Sequence, residues 1–366
     1  IQATVIAPVP FFPIKLKRFA EYAKYVDVAR SEKRFDLNIQ HPRYLVVPKV
    51  GMLLTPYFMA FSLYFAIKKN IKEFGRPDLI DSHYFFPDGV AVSIVSKILG
   101  IPFTCTSRGT DINLIADMPR PKKMIQKVIQ RAQKCMAVCQ ALTDKLTELG
   151  AGEAVTLRNG VDLSFFQKLA KTEREALKKN ILSPFDINNL AESKILLSVG
   201  WLVERKGHHI VIEAMRKLPN YCLLIAGNGP DEKSLKALVD SHQLQGRVTF
   251  LGSLSQADLK QYYQIADALV LASSREGWAN VLLESMACGT PVVATKIWGT
   301  PEVVQSNTAG LLCERTSDDI AHAVMQLFEH YPDRQETRNY AEKFDWAATS
   351  KGQFEIFSYI KKRFNT

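Results

Sequence analysis

The second half of this 366-residue chain alternates short aliphatic runs with stretches of helical periodicity, and that alternation restricts it to few architectures. The runs at 195–199 (ILLSV), 222–226 (CLLIA), 248–251 (VTFL), 268–271 (ALVL), 292–294 and 311–313 are almost wholly apolar, so each reads as a strand buried on both faces. Between the first two, Ile210, Val211, Ala214, Met215 and Leu218 recur at the spacing of one helix face. Strand, helix, strand in this order calls for a parallel sheet covered by helices. The first half repeats the scheme less cleanly, at 4–7, 44–47, 79–82, 103–106, 136–138 and 155–157. The expectation is an α/β chain of two doubly wound, Rossmann-like domains, 1–165 and 166–345, followed by a helix within 346–366 that crosses back to the first. The turn dipeptide Asn159-Gly160 and the polar stretch 168–193 mark the joint.

An apolar share of 47% with 10% aromatic residues supplies core for both domains and excludes a disordered or fibrous chain. The six cysteines are scattered, with neither a disulfide framework nor metal-ligand spacing, which fits a reducing, cytosolic setting. Charge is uneven: residues 1–180 hold 28 Lys and Arg against 16 Asp and Glu, whereas residues 181–366 hold 19 against 21. The excess includes Lys15, Lys17, Arg18, Lys24, Arg30, Lys33 and Arg34, then Arg120, Lys122, Lys123, Lys127, Arg131 and Lys134 on an expected helix. Such a half points to an anionic partner, a membrane surface, a phosphorylated carrier or nucleic acid, with a basic surface that serves only solubility as the plain alternative; no nucleic-acid module or aromatic-interleaved basic stripe accompanies it, so an anionic membrane surface is expected and nucleic acid is not. The opening IQATVIAP reads as a strand already under way without a leader, so the chain is expected to lack its true start. Between Lys49 and Lys68 lie 18 uncharged residues. Pro56 suits the first turn of a helix, which places that helix at 56–69, about 21 Å long and too short to span a bilayer.

In open parallel sheets, ligands sit beyond the carboxyl ends of the strands. After 195–200 comes Trp201-Leu-Val-Glu-Arg205-Lys206-Gly207, where two cations and a helix N-terminus would converge on an anion such as a phosphate; a solvated basic turn is the plain alternative. After 222–226 comes Gly227-Asn228-Gly229-Pro230, which alone reads as a tight turn with a helix cap. After 268–272 comes Ser273 to Gly289, with Glu276 in the loop and Glu284 on an otherwise apolar helix face. A carboxylate there needs hydrogen-bond donors, from a ligand, an arginine or backbone amides.

Together, Glu276 and Glu284 with seven residues between, EGWANVLLESMACGTPVVAT, Pro301-Glu302-Val303-Val304, SVGWLVERKG and RNGVD at 158–162 resemble the family-4 retaining glycosyltransferases of the GT-B fold. DSHYFFPDGVA (81–91) and SRGTDIN (107–113) resemble the branch that builds teichuronic-acid-type and other bacterial surface polysaccharides. The resemblance implies two domains facing a cleft, the first for the acceptor and the second for the nucleotide-sugar donor. It gives Glu276 the donor sugar hydroxyls, Glu284 the ribose, Lys206 the diphosphate, and the amides of Gly277, Trp278 and Ala279 the sugar; Arg205 is expected to stand in at the diphosphate for the family's arginine, which is Trp201 here. Gly200, Gly227, Asn228, Gly229, Ser253, Leu254, Asn280 and Val281 complete the donor site. His83 reaches the sugar's primary hydroxyl, and Arg108 and Asp111 touch acceptor or donor or else pair within their loop. The expected donor is a UDP- or GDP-sugar and the expected acceptor a lipid-linked molecule or glycan, while the basic half and the apolar helix lead to the expectation of a cytoplasmic chain peripheral to the inner face of the plasma membrane. No metal is expected, because no Asp-x-Asp pair occurs in the chain. Two departures stand out: Trp201 where the family places an arginine, and no glycine-rich loop after a first strand. A GT-B nucleotide-sugar epimerase and a catalytically silent nucleotide-sugar-binding subunit stay open as alternatives.

Overall fold

The structure, a computed structural model, describes residues 1–11, 25–46, 51–185 and 193–364. Lys15, Lys17, Arg18 and Lys24 of the basic cluster, Val47 of an expected strand, Lys49 and Val50 beside the long apolar stretch, and 186–192 of the polar stretch lie outside the described residues. The chain divides into two compact units. One holds residues 1–138, 142–156 and the chain from Gly352; the other holds 139–141 and 157–351. The division at Thr156/Leu157 falls ahead of the expected 165/166.

The first unit begins with β1 (Val5–Ile6), β2 (Val9–Phe11), β3 (Ser31–Arg34), β4 (Leu37–Gln40) and β5 (Arg43–Leu45). The antiparallel pair β3–β4 went unread in the sequence: SEKR and LNIQ hold one β-branched residue between them and are largely exposed, so no alternation of buried and polar positions marks them. After α1 (Thr55–Phe74) come β6 (Ile80–His83), α2 (Val90–Leu99), β7 (Phe103–Ser107), α3 (Thr110–Asn113), α4 (Pro119–Arg131), β8 (Lys134–Ala137), α5 (Gln140–Glu148) and β9 (Ala154–Thr156). Strands β6, β7, β8 and β9 form one parallel sheet in that order.

The helix expected at 56–69 is longer in the structure. Helix α1 starts at Thr55 with Pro56 in its first turn, as expected, but carries on through Lys68, Lys69 and Lys72 to Phe74, 20 residues in all. That is about 30 Å, so the argument that it is too short to cross a bilayer fails. With the turn before it, Gly51–Phe74 is long and apolar enough to span by length and composition. Its other face decides how it is used: Pro56, Met59, Ala60, Leu63 and Ile67 are buried, and the helix packs on β5 and α2.

The second unit contains α6 (Lys171–Leu182), β10 (Lys194–Val199), α7 (His208–Ala214), β11 (Tyr221–Ala226), α8 (Glu232–Ser241), β12 (Val248–Gly252), α9 (Gln256–Ile265), β13 (Ala268–Leu271), α10 (Asn280–Ala287), β14 (Val292–Thr295), α11 (Thr300–Val303), β15 (Gly310–Cys313), α12 (Ser317–Glu329), α13 (Arg334–Ala341) and most of the turns between them. The last helix, α14 (Trp346–Phe364), begins in this unit, and from Gly352 it belongs to the first, where Lys361 pairs with Asp78 at 2.8 Å. All six expected strands of this half are present, each within a residue of its expected ends. They form a parallel sheet in the order β12-β11-β10-β13-β14-β15, so the winding reverses between β10 and β13. Leu196, Leu223, Val270 and Val293 of the strands, with Val211, Met215 and Val324 of the helices, build the core below.

The approach to β13 is held from outside by Arg334. Its guanidinium donates to the carbonyls of Ala266 (2.8 Å), Gln264 (2.9 Å) and Cys288 (3.2 Å) and to Thr290 Oγ1 (2.7 Å). Arg334→Met keeps the apolar stem and strips those acceptors of their donor. Chemical denaturation should show a loss of about 2–3 kcal/mol for the second unit; an unchanged midpoint would mean that water replaces the guanidinium without cost.

Candidate functional site

The reversal of strand order fixes where the loops after β10 and β13 meet, and it brings together the side chains singled out from them. Lys206 Nζ lies 2.5 Å from Glu276 Oε1. The same oxygen accepts from Ser273 Oγ at 2.7 Å, and Arg205 Nη1 stands 3.7 Å away. Backbone bonds tie the two loops into one body: Ser274 N–H donates to the Arg205 carbonyl, and Arg205 Nη1 to the Arg275 carbonyl. An ammonium has three donors, so the contact with Glu276 holds Lys206 in place and leaves other N–H groups for an anion. Arg205 adds a second positive charge beside it, and the pair with one carboxylate is net positive.

The glycines of these loops have a reason in the packing. Gly207 (φ +72°) sits where a Cβ would lie 2.0 Å from the Ala272 carbonyl oxygen, and at Gly227 (φ +145°) a Cβ would lie 1.9 Å from that of Gly200. The bare backbones let the loops after β10, β11 and β13 abut, with Leu202 N–H donating to the Asn228 carbonyl at 2.8 Å. Asn228 is exposed, Gly229 half-buried, and Ser253 and Leu254 follow β12. Among the described residues, no hydrogen bond links Ser253 or Leu254 to the Lys206–Glu276 group.

Gly277, Trp278 and Ala279 are buried just ahead of α10. Among the described residues their backbone amides donate to no protein acceptor, although Asn280 N–H already bonds the Trp278 carbonyl. Free amides beside a helix N-terminus make a place for oxygen atoms carrying negative charge. Asn280 is exposed and accepts from Asn159 Nδ2 at 3.1 Å; Val281 is half-buried. Glu284 is half-buried, and burial raises its carboxyl above the usual range. The donor its position demanded is Tyr263, whose buried hydroxyl gives a 2.9 Å bond to Oε2. The sequence offered an arginine, amides or a ligand for this place, and none of them is the partner seen. Trp201, in the loop after β10, is 50% exposed.

Two further residues, Arg315 and His208, escaped the sequence reading, and a third, Glu302, was named there without a role. Arg315, beyond β15, donates to the Ala272 carbonyl (3.0 Å) and to both the carbonyl and the carboxylate of Glu204 (2.9 Å each), clamping the loops after β10 and β13 from behind. His208 is buried against Ser198 Oγ at 3.0 Å, and burial with Lys206 close by pushes its imidazole down to about 4, so it is neutral. Glu302, singled out as a motif, has a fastening role: it accepts from Arg158 Nε (2.9 Å) and Nη2 (2.6 Å) and from the Gln140 amide (2.6 Å).

In the first unit a second group lies at the carboxyl ends of β6 and β7. Arg108 donates to His83 Nδ1 from Nη2 (2.8 Å) and Nε (3.2 Å), and His83 Nε2 is 3.3 Å from Asp81 Oδ2. Arginine only donates, so Nδ1 accepts and the ring proton sits on Nε2, facing Asp81. Asp81 is steadied in turn by Thr104 Oγ1 (2.7 Å) and by Gln353 Nε2 of α14 (2.9 Å). Asp111 was expected to touch substrate or to pair with Arg108. In the structure it is fully buried and accepts from the amides of Phe85 (2.9 Å), Gly109 (2.9 Å) and Arg108 (3.3 Å) and from Ser107 Oγ (3.1 Å), which makes it the organiser of its loop. Nearby, burial pushes the Asp88 carboxyl up to about 6, with Asp111 adding to the rise.

Known proteins place this arrangement. Residues 5–165 match the family model for Glycosyltransferase Family 4, and residues 182–344 that for Glycosyl transferases group 1. The N-acetyl-alpha-D-glucosaminyl L-malate synthase of Bacillus anthracis is 27% identical over 89% of this chain and 85% of its own length. The putative teichuronic acid biosynthesis glycosyltransferase TuaC of Bacillus subtilis is 26% identical over 90% and 81%. Among solved structures, sucrose-phosphate synthase from Thermosynechococcus elongatus superposes with a TM-score of 0.76 at 19% identity, over 92% of this chain and 86% of that one. Anabaena HepE in complex with UDP does so with 0.71 at 21%, over 87% and 86%.

His208 generates a pH prediction. Its folded value near 4 lies below the ordinary 6.5, so the stability tied to its neutral form is complete above 6.5 and is lost as pH falls towards 4. Between pH 7.5 and 5.0 the protein should lose about 2 kcal/mol through this residue. His208→Gln should flatten that part of the curve; a parallel curve would mean that His208 takes up its proton without disturbing the fold.

Proposed function

The chain belongs to the family-4 glycosyltransferases of the GT-B fold, and from that premise we propose that it moves a sugar from a nucleotide-diphosphate sugar, with retention at the anomeric carbon, to a lipid-linked or glycan acceptor. Its place is glycan biosynthesis, as the teichuronic acid relative suggests. The second unit holds the donor and the first serves the acceptor. The observation that carries the reading is Lys206, fastened 2.5 Å from Glu276, beside the unclaimed amides of Gly277 to Ala279.

In this reading the bond between the sugar's anomeric carbon and the diphosphate oxygen breaks with its electron pair on the diphosphate. The acceptor oxygen bonds to the same face of that carbon, and its proton passes to a diphosphate oxygen. Lys206 and Arg205 meet the charge that grows on the leaving group, in place of a metal ion. Glu276 and the amides hold the sugar, and Glu284, kept in position by Tyr263, takes the ribose hydroxyls. His83, its ring held by Arg108, takes the role at the sugar's primary hydroxyl that the family resemblance gives it. The UDP complex of HepE supports a nucleoside diphosphate as the donor's body.

Incubation with UDP- and GDP-sugars and a lipid extract, read by mass spectrometry, should give an acceptor heavier by one sugar. Isomerised sugar, or nucleotide binding with no product, would contradict the proposal. Glu276→Ala should lower turnover by about 10² to 10³ with little change in nucleoside diphosphate affinity, and Glu284→Ala should weaken that affinity about tenfold. If calorimetry shows both variants binding as tightly as the parent, the ribose role of Glu284 is wrong.

A further inference from the structure

Helix α1 turns a line of large apolar side chains to solvent. Leu54 just ahead of it, then Tyr57 (55% exposed), Phe61 (70%) and Phe65 (56%) recur at three- and four-residue spacing, so they share one side of the helix. Tyr64 flanks Phe65, and the rings of Phe61 and Phe65 touch edge to face at 5.0 Å. The same side then changes character: Lys68, Lys69 and Lys72 are exposed on the next turns, and the Lys68 ammonium lies over the Tyr64 ring at 5.4 Å. The opposite side is buried on β5 and α2, so the helix cannot leave the unit to span a bilayer without stripping the core.

A contiguous apolar patch of this size is a contact site, and the chemistry of its border says for what. Aromatic residues that grade into lysines along one surface helix match the boundary between lipid headgroups and acyl chains. Rings enter there to a few ångströms, while ammonium groups stay among anionic phosphates. A folded protein partner would more often meet such rings with a rim of mixed charge. The three cations here are of one sign, and Glu73 is the single acidic residue of the helix. We propose that the exposed face of α1 is a membrane-docking surface that lies flat in the headgroup layer of an anionic bilayer, with Tyr57, Phe61 and Phe65 inserted and Lys68, Lys69 and Lys72 on lipid phosphates. It stands on the first unit alone and does not depend on which sugar is moved.

The test is sedimentation of the full chain with vesicles of phosphatidylcholine alone and of phosphatidylcholine with phosphatidylglycerol, at low and high salt. The parent should bind only the anionic vesicles and should release in high salt. Lys68→Glu, Lys69→Glu and Lys72→Glu together should weaken binding about a hundredfold, since each cation near such a surface counts for about fivefold. Phe61→Ser with Phe65→Ser should weaken it at least about tenfold, with an unchanged unfolding midpoint, because both rings are exposed. A Phe65→Trp variant should show its emission shifting to the blue on anionic vesicles. Binding to neither vesicle, equal binding to both, or a concentration-dependent dimer abolished by the Phe pair without vesicle binding would overturn the proposal.

Discussion

Everything in the second unit converges on one ion pair, Lys206 with Glu276. Two partly buried charges of opposite sign stay fixed only if each is also hydrogen-bonded and the backbone beneath them is rigid. Both conditions are met by parts far apart in the chain. Ser273 shares the carboxylate, Arg205 bonds the opposite loop, and Arg315 clamps from behind. The sheet order sets the stage: because winding reverses between β10 and β13, these two strands are neighbours, and the loops at their carboxyl ends meet and are bonded to each other. The lysine is therefore poised before any ligand arrives, which is how a site lowers a barrier without reorganising at the moment of reaction.

The sequence was readable wherever a local pattern reports a local fact. Runs such as ILLSV and ALVL can only be strands buried on both faces, and β10 and β13 lie where they were expected. Lys206 and Glu276 stood out because they follow strand ends, the amides ahead of α10 were supplied by the family resemblance, and the structure brings the lysine and the carboxylate together. What could not be read depends on contacts between distant positions. Tyr263 is 21 residues from Glu284 and belongs to another helix, and nothing in its neighbourhood marks it as the carboxylate's donor. Arg315 lies 111 residues from Glu204. His208 belongs to no motif, and only packing against Ser198 shows that it is buried and neutral.

The first unit teaches the complementary lesson. Asp111 was read as touching a ligand or pairing within its loop, and the structure shows the local part of that reading: the carboxylate gathers three amides and a hydroxyl around the loop after β7. His83 and Arg108 come together, a contact the sequence reading did not foresee, and the arginine's lack of any acceptor dictates which ring nitrogen carries the proton. Helix α1 outran its expected end because lysines propagate a helix as well as leucines do, so charge marks the end of an apolar stretch and not of the helix.

The claim on which the functional reading rests is that Lys206 is the counter-charge for the donor's diphosphate. Calorimetry of the parent and of Lys206→Ala with a nucleoside monophosphate and the matching diphosphate, UMP with UDP and GMP with GDP, isolates that contact. The parent should bind the diphosphate about ten- to a hundredfold more tightly than the monophosphate, the range of a charge-assisted bond, and the variant should bind the two about equally. A diphosphate preference that survives intact in the variant would contradict the account.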